Sequence, residues 1–435
     1  MTVTVSLKDV FGVSKNILKS YVLRPEIDNE FEDKLVLTDH HLVVFGETKV
    51  GKSHLRKKYI PENKDVVVVD CTKGVSLSEI YTQILYKANI ELTDSLSRSI
   101  EEGSRLTGEI QANFLQFLKS KLSGELSEKE ITTEIVKPPI PSTVSVRLAD
   151  ELKKAGVEFI VLDDFHYLNL IEQYLLAYDL KMFYQSGLRF IIIGTKISSG
   201  YFEKFNGELS QRIDYIDATK WSVENLREIQ QKGCHELNIG ISDEIVDYFI
   251  STSSGIVAVY QALLFDYCRM NEIKKTVTDH IVLDNLELAR ECNLNYWKNY
   301  SEMYFKKIQD IAGGGRRRKL QLYYYIMVVV MNSSVEVLRK GFPFQYLFEK
   351  INEIHPLKTS LNQGSLTSVL NHIDDLQVDK DIFPKVFTYY DKRLYVVDSV
   401  FYYIMQHFPP EKIDEILPPH EYEIKLGEIS EDAVE

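Results

Sequence analysis

The chain has 435 residues, 44% of them hydrophobic and 26% charged, with a net charge of -13. That length admits two or three domains, each able to bury its own core, and the composition is that of an ordinary globular protein. The acidic excess argues against wholesale coating of nucleic acid, though it is uneven: residues 409–435 alone hold nine carboxylates against two lysines.

Four cysteines, Cys71, Cys234, Cys268 and Cys292, lie far apart with no CxxC pair. Thiolate metal sites need ligands at short spacings, so reduced, buried thiols are expected rather than zinc. The N-terminus lacks a charged-then-apolar leader. The longest apolar run, from Leu320 to Met331, would make a helix of about 18 Å against a bilayer core of about 30 Å. A cytoplasmic protein with no membrane span is expected.

In chain order, residues 42–45 are an apolar run ending in Gly46, a buried strand entering a glycine loop. Residues 65–70, with four consecutive valines, are a second strand, and a helix is expected over 77–88. Residues 94–142 break the pattern: Ser, Thr, Glu and Lys dominate, and Pro138-Pro139-Ile140-Pro141 closes the stretch. They read as an insertion, helical around 111–121, with a passive surface role favoured over a partner- or substrate-sensing one. Residues 159–163, 189–194 and 213–217 supply three more strands, with a helix over 167–185. Apolar strands separated by helices predict an α/β fold whose parallel sheet is covered on both faces.

From Trp221 onward the pattern is helical. Residues 222–237 and 243–251 each have a serine near the start that suits an N-cap, and a third helix follows Gly255. Gly313-Gly-Gly-Arg-Arg-Arg-Lys319 reads as a domain boundary. Helices are expected near 318–331, 343–354 and 364–377, then strands at 386–390 and 394–397 joined by Asp391-Lys392-Arg393, and a last helix to Phe408. Three helices followed by a hairpin is the order of a winged helix. The expected division is 1–220 for the α/β core, 221–312 for a helical lid and linker, 313–408 for a winged-helix-like domain and 409–435 for an acidic tail.

Gly46-Glu47-Thr48-Lys49-Val50-Gly51-Lys52-Ser53 fits the P-loop pattern G-x₄-G-K-[ST] without mismatch, between an apolar strand and a helix-forming stretch. Glycines let successive backbone N–H groups point at phosphate oxygens, and the next helix adds its positive end. Lys52 would neutralise the β- and γ-phosphates of ATP, and the Ser53 hydroxyl would complete a Mg²⁺ shell. A chance match in a glycine turn is the competing reading, and the flanks disfavour it. Such a loop requires an acid at the end of a neighbouring strand, and Asp163-Asp164 supplies a pair. Asp163 is the expected metal-side acid and Asp164 the group that orients the attacking water; a solvated turn is the bland alternative.

Together, these motifs resemble the AAA+ and STAND superfamilies of ATPases over about residues 11–270. The resemblance implies a P-loop NTPase sheet with a helical lid, ATP and Mg²⁺ as cofactors, and ATP hydrolysis. It makes Thr195, at the end of the fourth strand, a sensor of the γ-phosphate, and Arg212, before the fifth, an arginine finger acting across a subunit interface. Tyr21-Val-Leu-Arg24-Pro-Glu is similar to the segment that packs near the adenine in replication initiators, so Tyr21 and Arg24 join the loop and His54 as nucleotide-binding residues. Asp164 stands where many AAA+ enzymes place Glu; aspartate is one methylene shorter, which implies slow hydrolysis and the STAND side. After Gly255, where AAA+ lids commonly carry a sensor arginine, this chain reads Ile256-Val-Ala-Val-Tyr260. His166 reads as structural rather than as a nucleotide-state sensor.

Residues 313–408 hold twelve Lys and Arg against nine Asp and Glu. Arg316-Arg-Arg-Lys319 and Lys392-Arg393 could meet phosphates, yet the expected recognition helix has no cation and contains Asp374-Asp375. Protein contact is favoured over DNA reading, with Asn371 and Thr367 as the residues that would read bases. Two functions follow: an ATP-dependent switch or assembly factor, with antiviral defence signalling implied by the STAND resemblance, or a DNA-loading ATPase of the replication-initiator or transposition-regulator kind. Expected partners are ATP and a homo-oligomeric or effector protein, with DNA possible through the winged helix and no membrane.

Overall fold

The computed structural model describes residues 4–12, 14, 16–91, 100, 143–195, 199–314, 320–357 and 361–418. Apart from residue 100, most of the expected insertion lies outside these residues, as do Lys196, residues 316–319 and the tail beyond 418. Contacts divide the chain into two compact units, Met1–Ile241 with Asn271–Leu283, and Ser242–Met270 with Asp284–Glu435.

The first unit is built on five strands, β1 (His41–Phe45), β2 (Val66–Asp70), β3 (Phe159–Asp163), β4 (Arg189–Ile193) and β5 (Ile213–Asp217). All pair in parallel, in the order β2-β3-β4-β1-β5. The helices are α1 (Leu7–Phe11), α2 (Pro25–Leu37), α3 (Lys52–Tyr59), α4 (Leu77–Lys87), α5 (Thr143–Lys154), α6 (Leu170–Gln185) and α7 (Val223–Leu237).

Strand side chains alternate between faces, and both faces are apolar. Val43, Ile160, Leu162 and Ile192 pack with Ile80 and Ile84 of α4, Leu148 and Leu152 of α5, and Leu176 and Leu180 of α6. Leu42, Val44, Val161, Ile191 and Ile193 pack on the other face with Phe31 of α2 and Leu55 of α3. Each such side chain stabilises the fold by roughly 1.5–3 kcal/mol. The sheet is therefore the rigid element from which the loops at its C-terminal edge take their positions.

All five expected strands form, the first beginning one residue early. The helix expected from 167 begins instead at Leu170: residues Phe165–Tyr167 make a 3-10 turn, and the Asn169 side chain accepts the N–H groups of Ile171 and Glu172. That capping bond outcompetes an earlier helical start. Helix α2, opened by Pro25 at its first turn, and the parallel pair β6 (Ile239–Ile241) with β7 (Ile281–Leu283) were not anticipated. Strands of three residues leave too short a pattern to recognise.

In the second unit, α8 (Asp243–Thr252), α9 (Val257–Met270), α11 (Leu322–Met331), α16 (Val400–Gln406) and α17 (Ile413–Ile416) pack on the long helix α10 (Leu286–Ala312). Between α11 and α16 come α12 (Val335–Lys340), β8 (Phe342–Pro343), α13 (Phe344–Ile354), α14 (Gln363–Asn371), α15 (Ile373–Asp379), β9 (Phe387–Tyr390) and β10 (Arg393–Val396). The three strands form an antiparallel sheet in the order β8-β10-β9. The single helix expected over 364–377 is two, broken at His372 (φ -102°, ψ 2°). Asp391 and Lys392, both left-handed at φ 51° and 54°, form the tight hairpin turn whose twist matches paired strands. Among the described residues no helix is long and apolar enough to cross a membrane.

Candidate functional site

The loop leaves β1 at Phe45 and enters α3 at Lys52. Gly46 has φ 137°, and a Cβ there would stand 2.6 Å from Thr219 Oγ1, so only glycine fits. Lys49 and Gly51 are left-handed, at φ 59° and 89°. Gly51 is the N-cap of α3, and among the described residues no side chain caps that end. The first N–H groups of α3 have no intrahelical acceptor, and the helix presents its positive end there, which suits an anion.

Lys52 Nζ donates to the Glu47 and Gly46 carbonyls, at 2.5 and 3.2 Å. Removal from water outweighs the opposing charges of Asp163, Asp164, Glu47 and Asp217 and pulls its pKa down to about 8. A phosphate against this ammonium would restore the charged form.

β4 lies between β1 and β3, so Asp163 is about 10 Å across the sheet from the end of β1, at two strand spacings. Ser53 closes that gap: its hydroxyl donates to Asp163 Oδ2 at 3.1 Å. A hydroxyl and a carboxylate oxygen together suit a hard divalent cation that keeps most of its waters and takes phosphate oxygens. Asp164 is left-handed (φ 56°), and its N–H donates to Asp163 Oδ1 at 3.0 Å. The residue is more exposed than Asp163. Partial burial first, and the charge of Asp163 second, push its pKa up to about 6. Thr195 follows β4, the strand between loop and acids, and is buried at 3% exposure. Loop, acid pair and Thr195 thus converge on one edge of the sheet, and their residues fit ATP with Mg²⁺.

The remaining expected site residues stand differently. Arg212 immediately precedes β5 and its carbonyl accepts the His41 N–H at the start of β1, so it occupies the opposite, N-terminal edge. A five-residue strand is about 16 Å long, and Arg212 does not approach the loop of its own chain. Its guanidinium donates to the Glu208 carbonyl and lies 5.8 Å from the Tyr184 ring centroid. The Tyr21 hydroxyl donates to Asp28 Oδ1 (3.0 Å), to which Tyr59 also donates (3.2 Å), while the Arg24 backbone N–H donates to Asp28 Oδ2 (2.8 Å). Burial first, then Asp28, raises the Tyr21 pKa. Arg24 Nη1 donates to the carbonyls of Ala218 (2.8 Å) and Lys220 (3.4 Å), and its Nε is buried with no partner among the described residues. The His54 ring bonds the backbone of Asn16, and burial lowers its pKa.

Sequence reasoning missed Trp221, whose Nε1–H donates to the Val50 carbonyl at 3.1 Å and whose ring stacks with Arg24, 4.3 Å from the guanidinium carbon to the centroid. It also missed Asp217, which ends β5 and accepts the Thr219 N–H at 2.9 Å. The sequence alone carried no signal for either, since what brings them beside the loop is the pairing of β5 with β1.

Residues 36–199 match the AAA domain family. No curated protein matches the chain. Among solved structures, the Walker-type ATPase PABY2304 of Pyrococcus abyssi is similar at 16% identity and a TM-score of 0.50, covering 91% of this chain and 99% of that one. Weaker similarities include the Aeropyrum pernix Orc1 protein in complex with DNA (11% identity, TM-score 0.38, 94% and 98% covered) and domain III of the Thermotoga maritima replication initiation protein DnaA (12%, 0.34, 66% and 96%). Residues 36–199 are thus similar to an AAA domain, and the parallel sheet with its loop has a P-loop NTPase-like fold.

Proposed function

We propose that the chain binds ATP with Mg²⁺ through residues 46–53 and hydrolyses it slowly, as the reset of a nucleotide-dependent switch or assembly factor of STAND-like character. The observation that carries this reading is the hydrogen bond from Ser53 to Asp163 beside Lys52, which joins loop and acid strand at one point. Mg²⁺, when bound, neutralises charge on the transferring phosphoryl group. Lys52 and the loop N–H groups hold the phosphates, Ser53 and Asp163 hold the ion, and Thr195 monitors the γ-phosphate side. Asp164 orients the attacking water; its short side chain limits the rate. Tyr21, Arg24 and His54 flank the nucleotide rather than the reacting atoms. Arg212, at the far edge of the sheet, serves the site of a second copy, so hydrolysis reports assembly.

We read residues 221–312 as a helical lid with linker helices and 313–408 as a winged helix that contacts protein more than DNA. Arg393 Nη1 is committed to the carbonyls of Lys340 (3.0 Å) and Gly341 (3.1 Å). Asp374 accepts from Thr388 (2.8 Å) and Lys385 (3.4 Å) at the base of the hairpin. The wing therefore offers Lys392, and of Arg393 only its other nitrogens, to a phosphate. The DNA-loading alternative would rest on Lys392 and on residues 316–319, outside the described residues. The antiviral setting implied by the STAND resemblance has no residue to carry it and is not part of the reading. Calorimetric titration of Mg-ATP into the wild-type chain and into Lys52→Ala tests the core of the proposal. Binding by the wild type and none by the variant is expected; equal binding by both would overturn it.

A further inference from the structure

The phosphate loop is held by a side chain outside the motifs that define it. Val50 sits between two left-handed residues, Lys49 and Gly51, a backbone that a non-glycine such as Lys49 adopts only when its surroundings impose it. The Val50 carbonyl accepts the Trp221 indole N–H at 3.1 Å. Because the peptide unit is planar and trans, its C=O and N–H point opposite ways. Aiming this carbonyl at the indole aims the Gly51 N–H away from it. The same ring packs on the loop itself, since a Cβ on Gly51 would lie 3.7 Å from Trp221 Cζ2.

The ring is in turn braced. Arg24, only 4% exposed, stacks on it at 4.3 Å, and its Nη1 is tied to the carbonyls of Ala218 and Lys220 just ahead of Trp221. On the other side Ser222 caps α7, its hydroxyl accepting the Asn225 N–H at 3.1 Å. Chain on both sides of the indole is therefore fixed.

We propose that Trp221 is a positioning residue of the nucleotide site: its N–H holds the Val50 carbonyl, with Arg24 bracing the ring, so that the phosphate loop has its binding shape before nucleotide arrives. This inference rests on the nucleotide reading of the loop. Holding one peptide plane in place lowers the ordering cost of binding without touching the reacting atoms, so affinity and not turnover should report it.

The test is Trp221→Phe in the full chain, which keeps an aromatic face for Arg24 and loses the donor. Hydrogen exchange of the protein without nucleotide should be about fivefold faster in the peptide covering residues 46–53 and unchanged in β2 and α6, as for loss of one net hydrogen bond. Mg-ATP affinity should fall about three- to tenfold, with kcat at saturating ATP within about twofold of wild type. If the phenyl ring disturbs other peptides, benzothienylalanine at position 221, which keeps the bicyclic ring and carries sulfur in place of the N–H, replaces it. Unchanged exchange and affinity overturn the inference, as does either effect without the other. A wild-type chain that binds no ATP is a separate failure, of the nucleotide reading and of this role with it.

Discussion

Lys52 is expected to take up a proton when ATP binds. Within the chain alone its pKa is pulled from 10.5 to about 8, burial outweighing Asp163, Asp164, Glu47 and Asp217. A triphosphate against the ammonium favours the charged form and moves the pKa back up. For a lysine depressed in this way, the charged form already dominates well below pH 8, and neutral amine accumulates above it. Uptake on binding should therefore be about 0.1 proton at pH 7, about 0.5 at pH 8 and about 0.9 at pH 9, from the fraction neutral beforehand. Affinity should be level at neutral pH and fall by up to about tenfold per pH unit above pH 8. Calorimetry in buffers of different ionisation enthalpy reads the proton number as the slope of observed against buffer enthalpy. Lys52→Arg, whose guanidinium stays charged, should show no buffer dependence at whatever affinity it retains. A zero slope at pH 8 and 9, together with flat affinity, would refute the reasoning.

Asp164→Asn should bind Mg-ATP within about threefold of wild type yet lose at least about tenfold in hydrolysis, while Asp163→Asn should weaken the Mg²⁺-dependent part of binding; equal hydrolysis by both variants and wild type would rule out this division. Since the Asp164 pKa is pushed up to about 6 and the carboxylate is the working form, wild-type hydrolysis should fall as pH drops through that value. Mixing Arg212→Ala with Asp164→Asn should restore some hydrolysis through one complete shared site, and a monomer with full activity would exclude it. Gly233→Ala in α7 would place a Cβ 2.1 Å from Phe11 Cζ. Overpacking of about 1–3 kcal/mol exceeds the roughly 1 kcal/mol gain in helix propensity, so the urea midpoint should drop; an unchanged midpoint would contradict that packing. Gel shifts of the full chain at two salt concentrations, with and without ATP, should show no submicromolar sequence-specific DNA binding, and finding it would favour the DNA-loading alternative.

The phosphate loop and the acid pair were legible in the sequence because each is local. Gly46, Gly51 and Lys52 act through backbone freedom and charge within eight residues, and Asp163-Asp164 ends an apolar run that can only be a buried strand. Four of the strands could be found for the same reason, since uninterrupted apolar runs of this length have few other uses, whereas β5 carries Asp214 and Asp217 among its apolar residues. Their order could not, because such runs look alike, and what places β4 between β1 and β3 is side-chain packing on two faces at once. That order decides the chemistry: Ser53 and Asp163 are 110 positions apart and meet only because both follow parallel strands to the same edge. Arg212, which precedes β5, lies at the opposite edge because the strands are parallel, whatever their order. Trp221 was invisible for a related reason. β5 pairs with β1 so that Phe45 faces Asp217, and the Ala218 N–H donates to the Phe45 carbonyl. A residue four positions beyond β5 thereby reaches a loop that begins one position beyond β1. A one-residue shift of that register would carry the indole away from Val50. Register is set by burial across the whole sheet, whereas a motif is set by the few residues that compose it.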